Sequence, residues 1–337
     1  MGVFSSRKLE KRLIEDEAFR VLAAGNEPDF RTISAFRRMH LKALEGLFEQ
    51  VLKLALQLGA MKLGGVAIAG SKIKANASKH KALSYQRMPE EEKRLQEEAR
   101  RWLAAADRVD KEEDKGYGRS SRGDELPAAL DRRQERIRRI AAAKRELEER
   151  ARAEAEEKKD AKAKAAKPEP KAQHNFTDPA SRIMKGRDGF VQAYNAQIAV
   201  EPARQLSVGQ AVTQQANDKK QLLPMIDKVN QQCGQKVRSA LADSGYCSEE
   251  NLGAAAKKKV DLYVAPGKQK HHQPSQPCPR GRIPQSATLL HRMKRKLMTL
   301  AGRTIYARRK TIVAPVFGQI KQAQGFRQFL LRGLHKV

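Results

Sequence analysis

The chain has 337 residues, room for two domains, and a hydrophobic content of 40% supplies a core and excludes global disorder. Lys and Arg number 68 against 39 Asp and Glu, a net charge of +29, so the compact state repels itself until a polyanion neutralises it. Nucleic acid is the expected partner. With 10 Phe, 6 Tyr and 1 Trp, the chain lacks the aromatic surface of a base-stacking single-strand or RNA platform.

In chain order, MGVFSSRKLEKRLIED has no uninterrupted apolar stretch after its charges and is not read as a signal peptide. No run approaches the ~18 apolar residues of a membrane span, so the expected location is the cytoplasm of a cell without a nucleus. Residues 6–24 fit one amphipathic helix, with Leu9, Leu13, Phe19 and Leu22 at helical spacing. After a loop from Gly25 to Thr32, Ser34 is expected to cap a longer helix carrying Phe36, Leu44, Leu47, Phe48, Val51 and Leu52 on one face. Arg37, Arg38 and Lys42 on this pair fit either a DNA-reading module or a packed helical hairpin, the commoner case.

VAIAGSKIKANAS (66–78) reads as a buried strand over 63–69 that stops at Ala69-Gly70 and opens into a basic loop with Lys72, Lys74, Asn76 and Ser78. Such a strand tip faces an anionic partner, yet position 69 offers only a methyl group. From Pro89 to about Ala165 the sequence is Glu, Lys, Arg and Ala with sparse apolar positions (Leu95, Trp102, Leu103, then Leu130, Ile137, Ile140, Leu147), broken by DKGYGRSSRG (114–123). This predicts a long antiparallel helical hairpin with a narrow seam and solvated charges, ended by Pro168 and Pro170.

YNAQIAV (194–200) and QLSVGQAVT (205–213) predict a β-hairpin across a Glu-Pro turn. A helix follows Asn217-Asp218, then the short strand of SALADSGY (239–246), a helix capped by Ser248, and the strand in VDLYVAPG (260–267). Residues 268–287 read as a linker leading to a basic helical segment from about Ala287. This order predicts a mixed rather than purely parallel α/β sheet. The expected divisions are 1–60, an N-terminal helical segment; 61–85, a first strand and basic loop; 86–171, the hairpin insertion; and 172–337, the rest of the α/β domain. Cys233, Cys247 and Cys278 form no CxxC pair, and His271-His272 before Cys278 lacks a fourth ligand, so no disulfide framework or zinc site is expected.

Asp243 ends the apolar run Ala240-Leu241-Ala242 and is followed by Ser244-Gly245, which places it at the C-terminal edge of a strand, where α/β sheets bind ligands. Alone, such an Asp is more often a turn or cap residue. TDPASRIMKGRDGFVQAYNAQIAV (177–200), VTQQANDKKQLLPMI (212–226), ALADSGYCSEENL (240–252), VDLYVAPGKQKH (260–271) and YARRKTIVAPVFGQIKQAQGFRQFLLRG (306–333) carry a resemblance. With VAIAGSKIKANASKHKALSY (66–85) and PDFRTISAFRRMHL (28–41), they resemble bacterial insertion-sequence transposases of group 1182 in the DDE superfamily.

The resemblance implies an RNase H-like fold, interrupted by the helical insertion, that cuts double-stranded DNA at the element's terminal inverted repeats. Three carboxylates would hold two Mg²⁺ or Mn²⁺ ions that clamp the attacking and leaving oxygens. Asp243 matches the second. The first falls at Ala69 and the third at Ala314, so two of three metal ligands are absent and catalysis is expected to be lost. Lys321, seven positions past Ala314 and expected on its helical face, resembles the phosphate-contacting lysine, and Tyr306 with Arg309 the upstream Tyr and Arg. Asp178, Asp188 and Asp218 match positions the family uses in caps and turns. The DNA path would be lined by Lys72, Lys74, Asn76, Arg292, Lys294, Arg295, Lys296, Arg303, Arg308, Arg309, Lys310 and Lys321. The chain is expected to begin inside the family's N-terminal domain and to stop before its last helical segment. Transposases generally act as multimers, so a homodimer is a further expectation. Three readings follow: a crippled transposase, a non-enzymatic repressor at transposon ends, or a decayed product without a role.

Overall fold

The structure, a computed structural model, describes residues 3, 5–117, 128–157, 166–186, 189–267, 278–279 and 281–337. Its elements in chain order are α1 (Ser6–Glu15), α2 (Glu17–Leu22), α3 (Phe30–Met39), α4 (Leu41–Gln57), β1 (Gly65–Lys74), β2 (Ala82–Ser84), α5 (Met88–Tyr117), α6 (Ala128–Glu157) and β3 (Gln173–Asn175). There follow β4 (Arg182–Gly186), β5 (Gly189–Val200), β6 (Ser207–Thr213), α7 (Leu222–Cys233), β7 (Ser239–Ala242), α8 (Glu249–Lys257), β8 (Asp261–Val264), α9 (Leu289–Met298) and α10 (Leu300–Gly318). Asp188, His271 and His272 lie outside the described residues. The chain divides into two compact units, Met1–Ile73 with Tyr194–Phe329, and Lys74–Ala193 with Leu330–Val337.

The first unit is organised by a mixed sheet in the order β6-β5-β1-β7-β8. β1 and β7 run parallel from Gly65↔Ser239 to Ile68↔Ala242, β7 and β8 are parallel, and β5 with β6 forms the predicted antiparallel hairpin. At its turn, Glu201 is buried and its carboxylate accepts from the amides of Ala203 (2.8 Å) and Arg204 (2.7 Å). An antiparallel hairpin on one side of β1 and two parallel strands on the other is the RNase H-like arrangement.

Period-two alternation assigns the two faces of β1. Val66 and Ile68, with Ala240, Ala242, Leu262 and Val264, pack against Leu222, Met225, Ile226 and Val229 of α7, Leu252 of α8 and Leu52 of α4. Ala67 and Ala69, with Leu241 and Tyr263, pack against Ile312, Val313 and Val316 of α10. Each large side chain removed from water here contributes roughly 1.5–3 kcal/mol. α10 contains Pro315, which has no N–H for the Thr311 carbonyl one turn back. The Gln205 side-chain amide donates to that carbonyl instead, at 2.9 Å.

The predicted single helix over 6–24 is two helices. Asp16 stops α1 and caps α2, accepting from the Ala18 amide at 3.1 Å. The cap expected at Ser34 is Asp29, which accepts from the Thr32 amide at 2.6 Å, so α3 begins earlier and ends before α4. β1 also continues past Gly70 to Lys74, correcting the predicted basic loop.

In the second unit α5 and α6 form the predicted hairpin, with Met88, Leu95, Ile140, Ala143 and Leu147 as its buried seam. Its antiparallel register is set by Arg133 against Glu98 (3.3 Å) and by the Tyr85 hydroxyl donating to Glu148 (2.8 Å). β2 and β3 make a small antiparallel pair, and β4 pairs antiparallel with Gly189–Ala193 of β5.

Candidate functional site

The first unit's polar residues converge where the pairing of β1 with β7 ends. Ile68 and Ala242 are the last paired residues of these strands, and Ala69 and Asp243 follow them directly. A short parallel strand covered on both faces is mostly apolar, so its first ionisable side chain tends to appear at its end. On β7 that residue is Asp243. It is half-buried, and its Oδ1 accepts from the Gly245 amide at 2.8 Å, capping the turn Ser244–Tyr246. On β1 the corresponding position is the Ala69 methyl, buried in the apolar cluster under α10.

A second carboxylate stands beside Asp243. A Cβ on Gly245 would meet Asp243 Oδ1 at 2.9 Å and Asp218 Oδ2 at 3.4 Å, so both acids border one small space. Asp218 Oδ1 accepts from Asn195 Nδ2 (2.6 Å), Gln197 Nε2 (2.8 Å) and Lys72 Nζ (3.4 Å). Although it precedes a helical turn, Asp218 makes no side-chain cap there. Its expected role as a cap is therefore corrected: its partners come from β1 and β5. Gly70 is needed beside it, because a Cβ there would sit 2.4 Å from Gln197 Nε2 and 2.8 Å from Asp218 Oδ1.

The fully buried Tyr246 hydroxyl donates to Gln197 Oε1, whose own amide nitrogen donates to Asp218. Burial, then the charges of Asp218 and Asp243, push the Tyr246 hydroxyl well above its usual range, so it stays a donor. Tyr306 on α10 is shifted in the same direction, first by burial and then by Asp243, against the nearby Arg309 guanidinium. Arg309 lies 5.7 Å from the centre of the Tyr306 ring, and its Nε is buried without a hydrogen-bond partner. Tyr306, Arg309 and Asp243 thus share one electrostatic neighbourhood, while Ala314 is exposed on α10.

Lys321 donates to Ser71 Oγ of β1, and burial, with Arg327 adding to it, lowers its pKa. It does not extend α10 as expected. The helix ends at Gly318 and Lys321 lies in a π-helical turn, Gln319–Ala323, so a seven-residue spacing no longer equals two α-turns.

The basic residues divide. Arg308 and Lys310 are exposed, and neither head group has a partner among the described residues. Lys296 is tied to Asp261, to the Leu262 carbonyl (2.9 Å) and over the Tyr263 ring (3.7 Å). Arg292 donates to the carbonyls of Ala287 (3.1 Å) and Gln285 (2.9 Å), Arg295 to those of Pro279 (2.9 Å) and Gly281 (2.7 Å), and Arg303 to that of Met298 (3.2 Å). Lys294 is exposed. Lys74 and Asn76 belong to the second unit, where Asn76 Nδ2 donates to the Leu330 carbonyl at 2.8 Å.

The donor set fails the test for a two-ion centre. Asp243 and Asp218 offer two carboxylates, one oxygen of Asp218 (Oδ1) is already taken by three donors, and Ala69, next after the last residue of β1 paired with β7, offers a methyl group. Among the described residues no group of three His, Cys, Asp or Glu side chains could hold a metal ion. Asp218 is what sequence reading missed as a site residue, and the signal for it was its place in the matched stretch VTQQANDKKQLLPMI.

Sheet order and the acid at the strand end define a member of the RNase H-like class of α/β proteins. Residues 153–337, more than half of the chain, match the family model of the transposase DDE domain, and the chain belongs to that family. DDE transposases act on DNA and generally use divalent metal ions. No curated protein matches the chain, and no solved structure does. No helix among the described residues is long and apolar enough to cross a membrane.

Proposed function

We propose that this chain is a group 1182 insertion-sequence transposase that binds the terminal inverted repeats of its element, acts as a homodimer in the cytoplasm at the nucleoid, and no longer cuts DNA. The observation that supports the loss of cutting is the Ala69 methyl in the place beside Asp243 where the resemblance calls for the first metal-binding carboxylate. Ala314 takes the place of the third. Lys72, Lys74, Asn76, Arg292, Lys294, Arg295, Lys296, Arg303, Arg308, Arg309, Lys310 and Lys321 are the residues proposed to meet DNA. The exposed, unpaired Arg308 and Lys310 are the strongest of these, because they break no intramolecular bond on meeting phosphate. Tyr306 and Arg309 keep the charge around Asp243 balanced. Such contacts give steep salt dependence and little sequence discrimination by themselves.

The same observation favours a second reading, a repressor that occupies transposon ends, because removing two carboxylates leaves a less negative surface for phosphate. The test is a nicking assay with Mn²⁺ on DNA carrying the element's ends, comparing the chain with Ala69→Asp/Ala314→Glu. Cutting by the restored chain alone supports the proposal. Cutting by the chain as it stands, or by neither protein, contradicts the assignment of these positions. Mg²⁺-independent preference for the inverted repeats over random DNA supports the repressor reading.

A further inference from the structure

α4 has two apolar faces and the fold uses one. Leu52 is buried, and Phe48, Ala55 and Leu56 pack with it into the cluster around α7. The adjacent face carries Leu44, Leu47, Val51 and Leu54, continued by Leu58 at the C-cap, and all five are between 39% and 73% exposed. Their spacing is three, four, three, four. That is the a/d pattern of a heptad repeat over two heptads, a seam that a second helix can interlock with.

Charge favours a helix of a second copy. In a chain of net charge +29, a surface that meets its own copy must be free of facing cations. The solvent edge of the stripe is formed by the exposed Ala43, Gln50 and Gln57, all neutral, and Lys53 falls beyond them on the helix. An anionic partner would have nothing there to recognise, whereas an identical stripe finds matching leucines and no repulsion. A heptad seam is also self-complementary under a two-fold axis, as an isologous interface requires.

We infer that a second copy of this chain seats on this stripe, α4 against α4, through Leu44, Leu47, Val51, Leu54 and Leu58. The inference rests on the proposed homodimer but on neither DNA cutting nor DNA binding, so it is tested without DNA. Sedimentation of the full chain at high salt, which screens charge and removes bridging nucleic acid, reads the state directly. A dimer is expected, with Leu47→Gln/Leu54→Gln shifting it to monomer while far-UV circular dichroism is unchanged. Val51 is the middle of the five and meets its own copy in either helix orientation. In a Cys278→Ser background, Val51→Cys is therefore expected to give a disulfide-linked dimer under mild oxidation, and this reading decides whichever way the double variant folds. A wild-type chain that stays monomeric at every concentration, as when α1–α3 cover the stripe within one chain, overturns the inference. So does a Val51→Cys chain that fails to cross-link.

Discussion

In the sheet, β1 is covered on both faces by α4, α7 and α10, and Val66, Ala67 and Ile68 have no exposed surface at all. In the hairpin of α5 and α6, five buried side chains among the described residues form one narrow seam, and charged residues and alanines make up most of the rest of each helix. Pairs such as Arg94–Glu91 (2.8 Å) and Arg139–Glu135 (2.9 Å) sit in solvent, where screening leaves them little to contribute. The sheet is therefore held by burial and tolerates no change of volume, whereas the hairpin is held by its seam and tolerates most changes outside it. A polar residue inside the sheet unit, such as Gln197, costs stability unless it is partnered, and Gln197 is bonded to both Tyr246 and Asp218. A polar residue on the hairpin needs only water.

The largest effect is expected in the sheet. Ile68→Ala should cost about 2–5 kcal/mol, because the cavity cannot collapse between two packed helix layers. Urea unfolding followed by circular dichroism measures it. The chain's one Trp, Trp102, lies on α5, so its fluorescence reports the hairpin alone. Its midpoint should stay where it was. If fluorescence and circular dichroism shift together, the two regions unfold as one and the comparison breaks.

Next, Gly70→Ala should cost about 1–3 kcal/mol by overpacking against Gln197 and Asp218. Unfolding midpoints check it, and a neutral result would mean that the Asp218 network yields easily. On the hairpin, Arg133→Ala removes the contact with Glu98 and the guanidinium 5.3 Å from the Trp102 ring centre. The expected loss is under about 1 kcal/mol, read as a small shift of the fluorescence midpoint.

The smallest effect is a pH dependence in the second unit. Burial holds the His174 pKa below its ordinary 6.5, against the pull of Glu146 at 3.4 Å and with the nearby Arg150 and Arg182. The unfolded chain takes up this proton at a higher pH than the folded one. Stability is therefore intact above pH 6.5 and falls as pH drops through the lower folded value. Fluorescence-monitored unfolding should show this decline, and His174→Gln should abolish it.

What the sequence carried and what it hid follow the same physics. Strands covered on both faces announce themselves as apolar runs, so β7, β8 and the first half of β1 were legible, as was Asp243 at its strand end. Ser71-Lys72-Ile73-Lys74 looked like a loop because its lysines are polar. It is strand because Lys72 has Asp218 to meet and Ser71 has Lys321, partners that are 146 and 250 residues away. β2, β3 and β4 were missed because they are three to five residues long and exist only through their pairing. Asp218 read as a cap or turn residue because the resemblance places it among the family's caps and turns, and only the fold shows that its Oδ1 accepts from β1 and β5 instead.

The proposed function holds that a transposase scaffold survives here with Asp243 alone of the three carboxylates that the resemblance calls for. The most direct measurement is a Mn²⁺ titration followed by electron paramagnetic resonance, on the chain and on Ala69→Asp/Ala314→Glu. No saturable site is expected in the chain, a saturable site is expected in the restored protein, and it should be lost when Asp243→Asn is added to the restored protein. Saturable Mn²⁺ binding by the chain as it stands would contradict it.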